Sequence, residues 1–139
     1  MILLDTNVVS EPMRPAPDGR VVAWIDAQAL GTLFLPAIAV AELRAGIALL
    51  PAGKRRAALD HALEAQLLPL FVNRVLAFDL DCTAAYAALM LRARRAGMSI
   101  GHADGCIAAI AATHGLTVAT RDVAPFLAAG VAVIDPWAA

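Results

Sequence analysis

The sequence predicts an α/β fold of three layers, with helices on both faces of a central, mostly parallel sheet of four to five strands. Three observations predict it. Short unbroken apolar runs such as Ile2-Leu3-Leu4 and Leu33-Phe34-Leu35 suit strands buried on both faces. Stretches of helical spacing alternate with those runs along the whole chain, as crossovers between parallel strands require. Carboxylates recur just after the runs, where open α/β sheets keep their ligands.

The first strand, Ile2 to Leu4, ends at Asp5. Asp5-Thr6-Asn7 are cap and turn formers, so a short helix from Thr6 to Ser10 follows and Pro12 ends it. A proline-rich surface loop, Arg14 to Gly19, leads to a helix over Val21 to Ala29, with Val21, Trp24, Ile25 and Gln28 at helical spacing and Gly31 closing it. Leu33 to Leu35 is the second strand. Pro36 ends it and opens a helix from Ala37 to Leu50. Pro51-Ala52-Gly53 breaks the chain before a helix over Lys54 to Leu68, whose basic start opposes the macrodipole.

Val75 to Phe78 reads as a third strand, and Asp79 or Asp81 caps a helix from Cys82 to Ala96 that Gly97 ends. Ser99 to Asp104 leads into the next helix, Gly105 to His114, with Gly115 as its stop. Leu116 to Ala119 is a fourth strand. A helix over Val123 to Ala129, Gly130, and a last strand over Val131 to Ile134 precede the tail Pro136 to Ala139.

The 139 residues suit one domain, 1–139, with a real core and no room for a second. Hydrophobic residues make up 60%, so a membrane span has to be considered. The longest run free of charge and amide, Ala29 to Ala41, falls short of the roughly 20 residues a spanning helix needs. No basic segment precedes the first apolar residues, as a signal peptide would require. A cytoplasmic protein without a membrane partner is therefore expected, and its high apolarity points to a subunit interface.

Cys82 and Cys106 lack metal-ligand spacing and read as reduced core residues. A net charge of -1 argues against a generically basic nucleic-acid binder. With four acids set aside for a metal, the remaining eight face eleven basic residues, a balance of +3, with clusters at Lys54-Arg55-Arg56 and at Arg92, Arg94 and Arg95.

The acids carry the chemistry. Asp5 and Asp122 stand at strand ends, Asp104 in a first helical turn, and Glu42 on an apolar helix face with Ile38, Ala45, Gly46 and Leu49. Asp5 alone reads as a helix cap, and Glu42 alone as a residue paired with an arginine or facing open water. Together the four can converge on one sheet edge, where they would repel unless protonated or bound to a cation. Oxygen donors without Cys or His sets favour Mg²⁺ or Mn²⁺ over zinc. Such ions activate water and stabilise a phosphate transition state, as in nucleases.

Leu3-Leu4-Asp5-Thr6-Asn7, Ala41-Glu42-Leu43, Ala103-Asp104 with Ile107-Ala108-Ala109, and Thr120-Arg121-Asp122 resemble the four acidic motifs of PIN-domain proteins, in particular the VapC toxins and the similar FitB. The resemblance covers essentially the whole chain, including the Trp near its C-terminus. It implies a PIN-like domain with Mg²⁺-dependent endoribonuclease activity, the toxin of a type II toxin–antitoxin pair. Asp5, Glu42, Asp104 and Asp122 match the catalytic, metal-binding acids. Thr6, Asn7 and Thr120 match polar neighbours that orient ligands or water. It also implies a homodimer, an RNA substrate, and a small antitoxin that inhibits the site and contacts operator DNA. Many relatives carry Asn at the place of Asp122 and an acid shortly before the Phe; here Pro125 precedes Phe126.

Other readings fit less well. A haloacid-dehalogenase-type phosphatase needs an acid where Asn7 stands, and a receiver domain needs a late lysine, whereas Lys54 is the only lysine. A catalytically silent subunit, acting with its antitoxin as a DNA-bound repressor, is the remaining competitor. Seven aromatic residues, several in apolar runs, give little material for a base-stacking platform, and His102 reads as structural.

Overall fold

The computed structural model describes residues 1–138; Ala139, the last residue of the expected tail, lies outside them. Five strands, β1 (Ile2–Leu4), β2 (Leu33–Pro36), β3 (Val75–Leu76), β4 (Thr117–Ala119) and β5 (Val133–Ile134), form a sheet in the order β3-β2-β1-β4-β5. Every pairing is parallel. β1 is central, bonded to β2 on one side and β4 on the other, which is why its three apolar residues need no polar alternation.

Seven α-helices are described: α1 (Thr6–Ser10), α2 (Gly19–Asp26), α3 (Ala37–Ala48), α4 (Lys54–His61), α5 (Leu80–Arg95), α6 (His102–His114) and α7 (Val123–Ala128). They cover both faces. Leu3 and Val118 pack with Leu89, Ile107, Ile110 and Phe126 from α5, α6 and α7. Leu4 and Ala119, the next residues along, pack on the other side with Val8, Val21, Leu43 and Trp137. Consecutive residues point to opposite faces of a strand, so the two cores follow directly from β1 and β4. Truncating a fully buried residue such as Leu3 to Ala would cost about 2–5 kcal/mol.

Several boundaries differ from expectation. α2 begins at Gly19 because the Asp18 carboxylate accepts from the Arg20 N–H at 2.9 Å, and it ends at Asp26 rather than Ala29. α6 begins at His102, three residues before Gly105, with Gly101 extended at its cap. Asp104 still falls in the first turn. α3 stops at Ala48, short of Leu50. The regular part of the helix predicted over Lys54 to Leu68 ends at His61; a wider π-type turn (Ala62–Leu67) and a tight turn (Leu68–Phe71) continue it. α5 begins at Leu80, ahead of Cys82. Asp79 occupies its cap position, yet its carboxylate bonds the Cys82 thiol at 3.4 Å instead of a backbone N–H.

The outer strands are shorter than predicted. β3 ends at Leu76, not Phe78, because β2 offers it only Leu35 and Pro36 as partners. β5 begins at Val133, not Val131, since it pairs only with Val118 and Ala119. Cys82 and Cys106 are buried thiols, as expected. No described helix is long and apolar enough to cross a membrane.

Candidate functional site

The carboxyl ends of β1 and β4 lie side by side, so the residues after them share one edge of the sheet. Asp5 follows β1 directly, and its N–H donates to the Ala119 carbonyl at 2.9 Å, extending the ladder by one residue. It is only 4% exposed. Both carboxylate oxygens are engaged: Oδ1 accepts from the Thr6 N–H at 2.7 Å, and Oδ2 from the Thr120 hydroxyl at 2.8 Å. Asp5 is therefore the cap of α1 and a buried, oriented carboxylate at once.

Thr120 is fully buried and serves both sides of the edge. Its oxygen, while donating to Asp5, accepts the Asp122 N–H at 3.0 Å and so fixes the turn after β4. Asp122 stands at the cap position of α7, but its side chain makes no capping bond. The Asn7 Oδ1 accepts weakly from the Arg121 N–H at 3.4 Å, tying α1 to the same turn.

Glu42 comes from the second turn of α3. Of the readings open for it, an arginine partner or a groove open to water, the structure gives the second: the side chain is exposed, because α3 presents that face to an open groove. The Thr6 hydroxyl donates to Glu42 Oε1 at 2.8 Å. Arg44, the other charge of α3, forms a two-bond pair with Glu64 and leaves Glu42 to the site. Asp104 enters from α6 and is half-buried.

Asp5, Glu42, Asp104 and Asp122 line one pocket of about 310 Å³, together with Thr6, Asn7 and Ser10. The structure thus gathers all four predicted acids and two of their three predicted polar neighbours, with Thr120 just beneath. Ser10 was missed. It lies four residues after Thr6 and three after Asn7 on α1, a helical spacing that was legible in the sequence. His102 is outside the pocket, its Nδ1 within hydrogen-bonding distance of the Tyr86 hydroxyl at 3.1 Å.

The electrostatics follow from crowding like charges. Burial raises the Asp5 carboxyl above its ordinary range, and the charges of Glu42 and Asp122 push the same way; the bonds from Thr120 and Thr6 oppose them. Asp104 is pushed up to about 6, first by burial and then by the charges of Asp5, Asp122 and Glu42. Among the described residues no three acids, histidines or cysteines are close enough to form a finished chelate. The four acids surround a space rather than converge on a point. The donor set fits a hard divalent cation: it is all carboxylate oxygen, bears up to four negative charges, and has no Cys or His in its lining.

The PIN-domain family model matches residues 2–130. The chain belongs to the PIN-domain family. Among its relatives, the plasmid stability protein StbB of Pseudomonas syringae pv. tomato is 61% identical over the full length of both chains. The VapC ribonuclease Y4jK of Sinorhizobium fredii is 56% identical, covering 99% of this chain and 98% of its own. Toxin FitB of Neisseria gonorrhoeae is 55% identical, covering 99% of each. Among solved structures, FitAcB from Neisseria gonorrhoeae superposes with a TM-score of 0.95 at 55% identity, covering 99% of each chain. FitAB bound to an IR36 DNA fragment gives 0.95 at 52%, covering 99% of this PIN domain and 96% of the other chain.

Proposed function

We propose that this PIN domain, residues 1–139, is a Mg²⁺-dependent endoribonuclease and the toxin of a type II, VapBC-like toxin–antitoxin pair. The observation that carries the proposal is the meeting of Asp5, Glu42, Asp104 and Asp122 in one pocket. Such a cluster is costly without a cation, and the chemistry it favours is phosphodiester hydrolysis. Identity of 56% to a protein named a VapC ribonuclease supports the same reading.

Asp5, Glu42, Asp104 and Asp122 would hold Mg²⁺, with Mn²⁺ as a substitute. When bound, the ion makes water acidic enough to yield a nucleophile near neutral pH and offsets the charge that gathers on the attacked phosphate. The protein residues supply order. Thr120 and the Thr6 N–H fix the two oxygens of Asp5, and the Thr6 hydroxyl turns Glu42 inward. Asp122, whose carboxylate makes no capping bond, would support a second ion or the attacking water. Asn7 and Thr120 keep the turn that carries it in register.

The toxin acts in the cytoplasm as a homodimer, and a small VapB-like antitoxin blocks the site and binds operator DNA. Exposed Leu80, Leu91 and Leu127 supply apolar surface for such partners, and the solved FitAB complex on DNA supports the operator role. That complex also favours the second reading, a silent PIN subunit that works with its antitoxin only as a repressor.

Purification free of any partner, followed by incubation with structured RNAs, separates the two. The nuclease reading expects cleavage that needs Mg²⁺, stops with EDTA and is lost in Asp5→Asn. Intact RNA, together with operator binding by the complex, would establish the repressor reading instead.

A further inference from the structure

Arg121 lies between two residues of the site, and the chemistry above does not use it. Its side chain is exposed, and its guanidinium carbon lies over the Trp137 ring, 5.1 Å from the ring centre. Trp137 is only 7% exposed and packs in the core that includes Val8, Val21 and Ala119. Its backbone N–H donates to Asp135 Oδ1 at 2.9 Å, which fixes the turn that carries the ring under Arg121. The Arg121 backbone N–H, in turn, donates weakly to Asn7 in the pocket wall.

Three other arginines are committed to ion pairs. Arg14 pairs with Glu11, Arg20 with Asp18, and Arg44 with Glu64. Among the described residues Arg121 enters no ion pair. Asp18 feels its charge weakly, behind the direct bonds of Arg20. Stacking engages the flat face of a guanidinium and leaves its five N–H donors free in the plane, a geometry that matches phosphate. The guanidinium lies outside the lining of the acidic pocket and acts on Asp18, so it offers a positive charge one residue along the chain from Asp122, where a polyanion approaching the pocket is otherwise repelled.

We propose that Arg121, laid on Trp137, binds a backbone phosphate of the RNA flanking the acidic pocket, with Trp137 as its positioning residue. The inference rests on the nuclease reading and adds to it a substrate contact outside the metal-binding acids. The contact is to backbone, so it should raise affinity without selecting sequence.

The test measures binding and cleavage separately, on the full chain. Binding of a labelled mixed-sequence oligoribonucleotide is followed by fluorescence anisotropy over a range of KCl, with Ca²⁺ in place of Mg²⁺. Cleavage of the same RNA is followed in Mg²⁺. Arg121→Gln should weaken binding about tenfold, lower the salt slope by about one, and raise KM more than it lowers kcat. Arg121→Lys should recover part of the loss, since it restores charge without the planar fork. Trp137→Phe should weaken binding less than Arg121→Gln while leaving the salt slope near wild type. Arg95→Gln, at the far end of α5, controls for loss of charge alone and should change neither affinity nor KM.

Wild-type affinity, KM and salt slope in Arg121→Gln would overturn the proposal even if the protein is a nuclease. Binding that depends on Arg121 without any cleavage would support the contact and sink the nuclease reading. A wild type that neither binds nor cuts RNA would overturn both.

Discussion

The hydroxyl of Thr120 donates to Oδ2 of Asp5 across 2.8 Å, joining residues that lie 115 positions apart in the chain. Strands β1 and β4 are adjacent and parallel, so their last residues meet at one edge, and this single bond aligns the two halves of the site. The same oxygen holds the Asp122 N–H. Loss of one hydroxyl would therefore disturb two acids.

Thr120→Val keeps the shape and removes both bonds. It should cost about 1–3 kcal/mol, the range for leaving buried polar groups without partners. Thr120→Ser should keep most of that. Urea unfolding of the three proteins without metal checks the order. RNA cleavage should fall with Val and survive with Ser.

Crowded carboxylates should make the metal-free protein less stable than its neutralised variant. Asp104→Asn relieves repulsion and should raise stability by roughly 1 kcal/mol or less, given the partial exposure of the site. Added Mg²⁺ should raise the melting temperature of the wild type by mass action. If Asp104→Asn gains as much from Mg²⁺, the ion binds somewhere else.

The pH dependence of the same pair has a definite sign. Asp104 titrates near 6 in the folded protein against an ordinary 3.8, so between those values the folded state holds more protons than the unfolded state. The stability contributed by this group therefore falls as pH rises from 3.8 to about 6 and stays low above that. The difference in stability between Asp104→Asn and the wild type should widen across this window and then level off. Protons also compete with the ion, so stabilisation by Mg²⁺ should grow as pH passes 6.

Two glycines separate packing from backbone freedom. A Cβ on Gly105 would stand 3.0 Å from Cε2 of Tyr86, where α6 presses on α5. Gly105→Val should cost about 1–3 kcal/mol by overpacking. Gly46, inside α3, has open space around its α-carbon, so Gly46→Ala should stabilise by up to about 1 kcal/mol. Thermal unfolding of both variants checks the contrast.

The parallel sheet was legible because each strand is a compact apolar run that needs no partner to be recognised. Its edges were less so. The lengths of β3 and β5 depend on how many residues β2 and β4 leave free to pair, which no local pattern records. The four acids were legible from their places at strand ends and helix starts, and their gathering follows from the strand order. Glu42 stayed open between an arginine partner and a groove open to water, because which way α3 turns that face is a matter of packing rather than of period. Asp5 had two competing readings, cap and site residue, and the structure gives it both because its two oxygens point different ways. The stacking of Arg121 on Trp137 joins the last turn of the site to the tail and leaves no signature in spacing.

The central claim is that four carboxylates act as one divalent site. Titration of the partner-free protein with Mn²⁺, read from the loss of the free-ion electron paramagnetic resonance signal, tests it directly. The account predicts binding by the wild type, displaced by Mg²⁺, and at least about tenfold weaker in Asp5→Asn and in Asp104→Asn. Equal affinity in the wild type and both variants, or no binding by any of them, would contradict it.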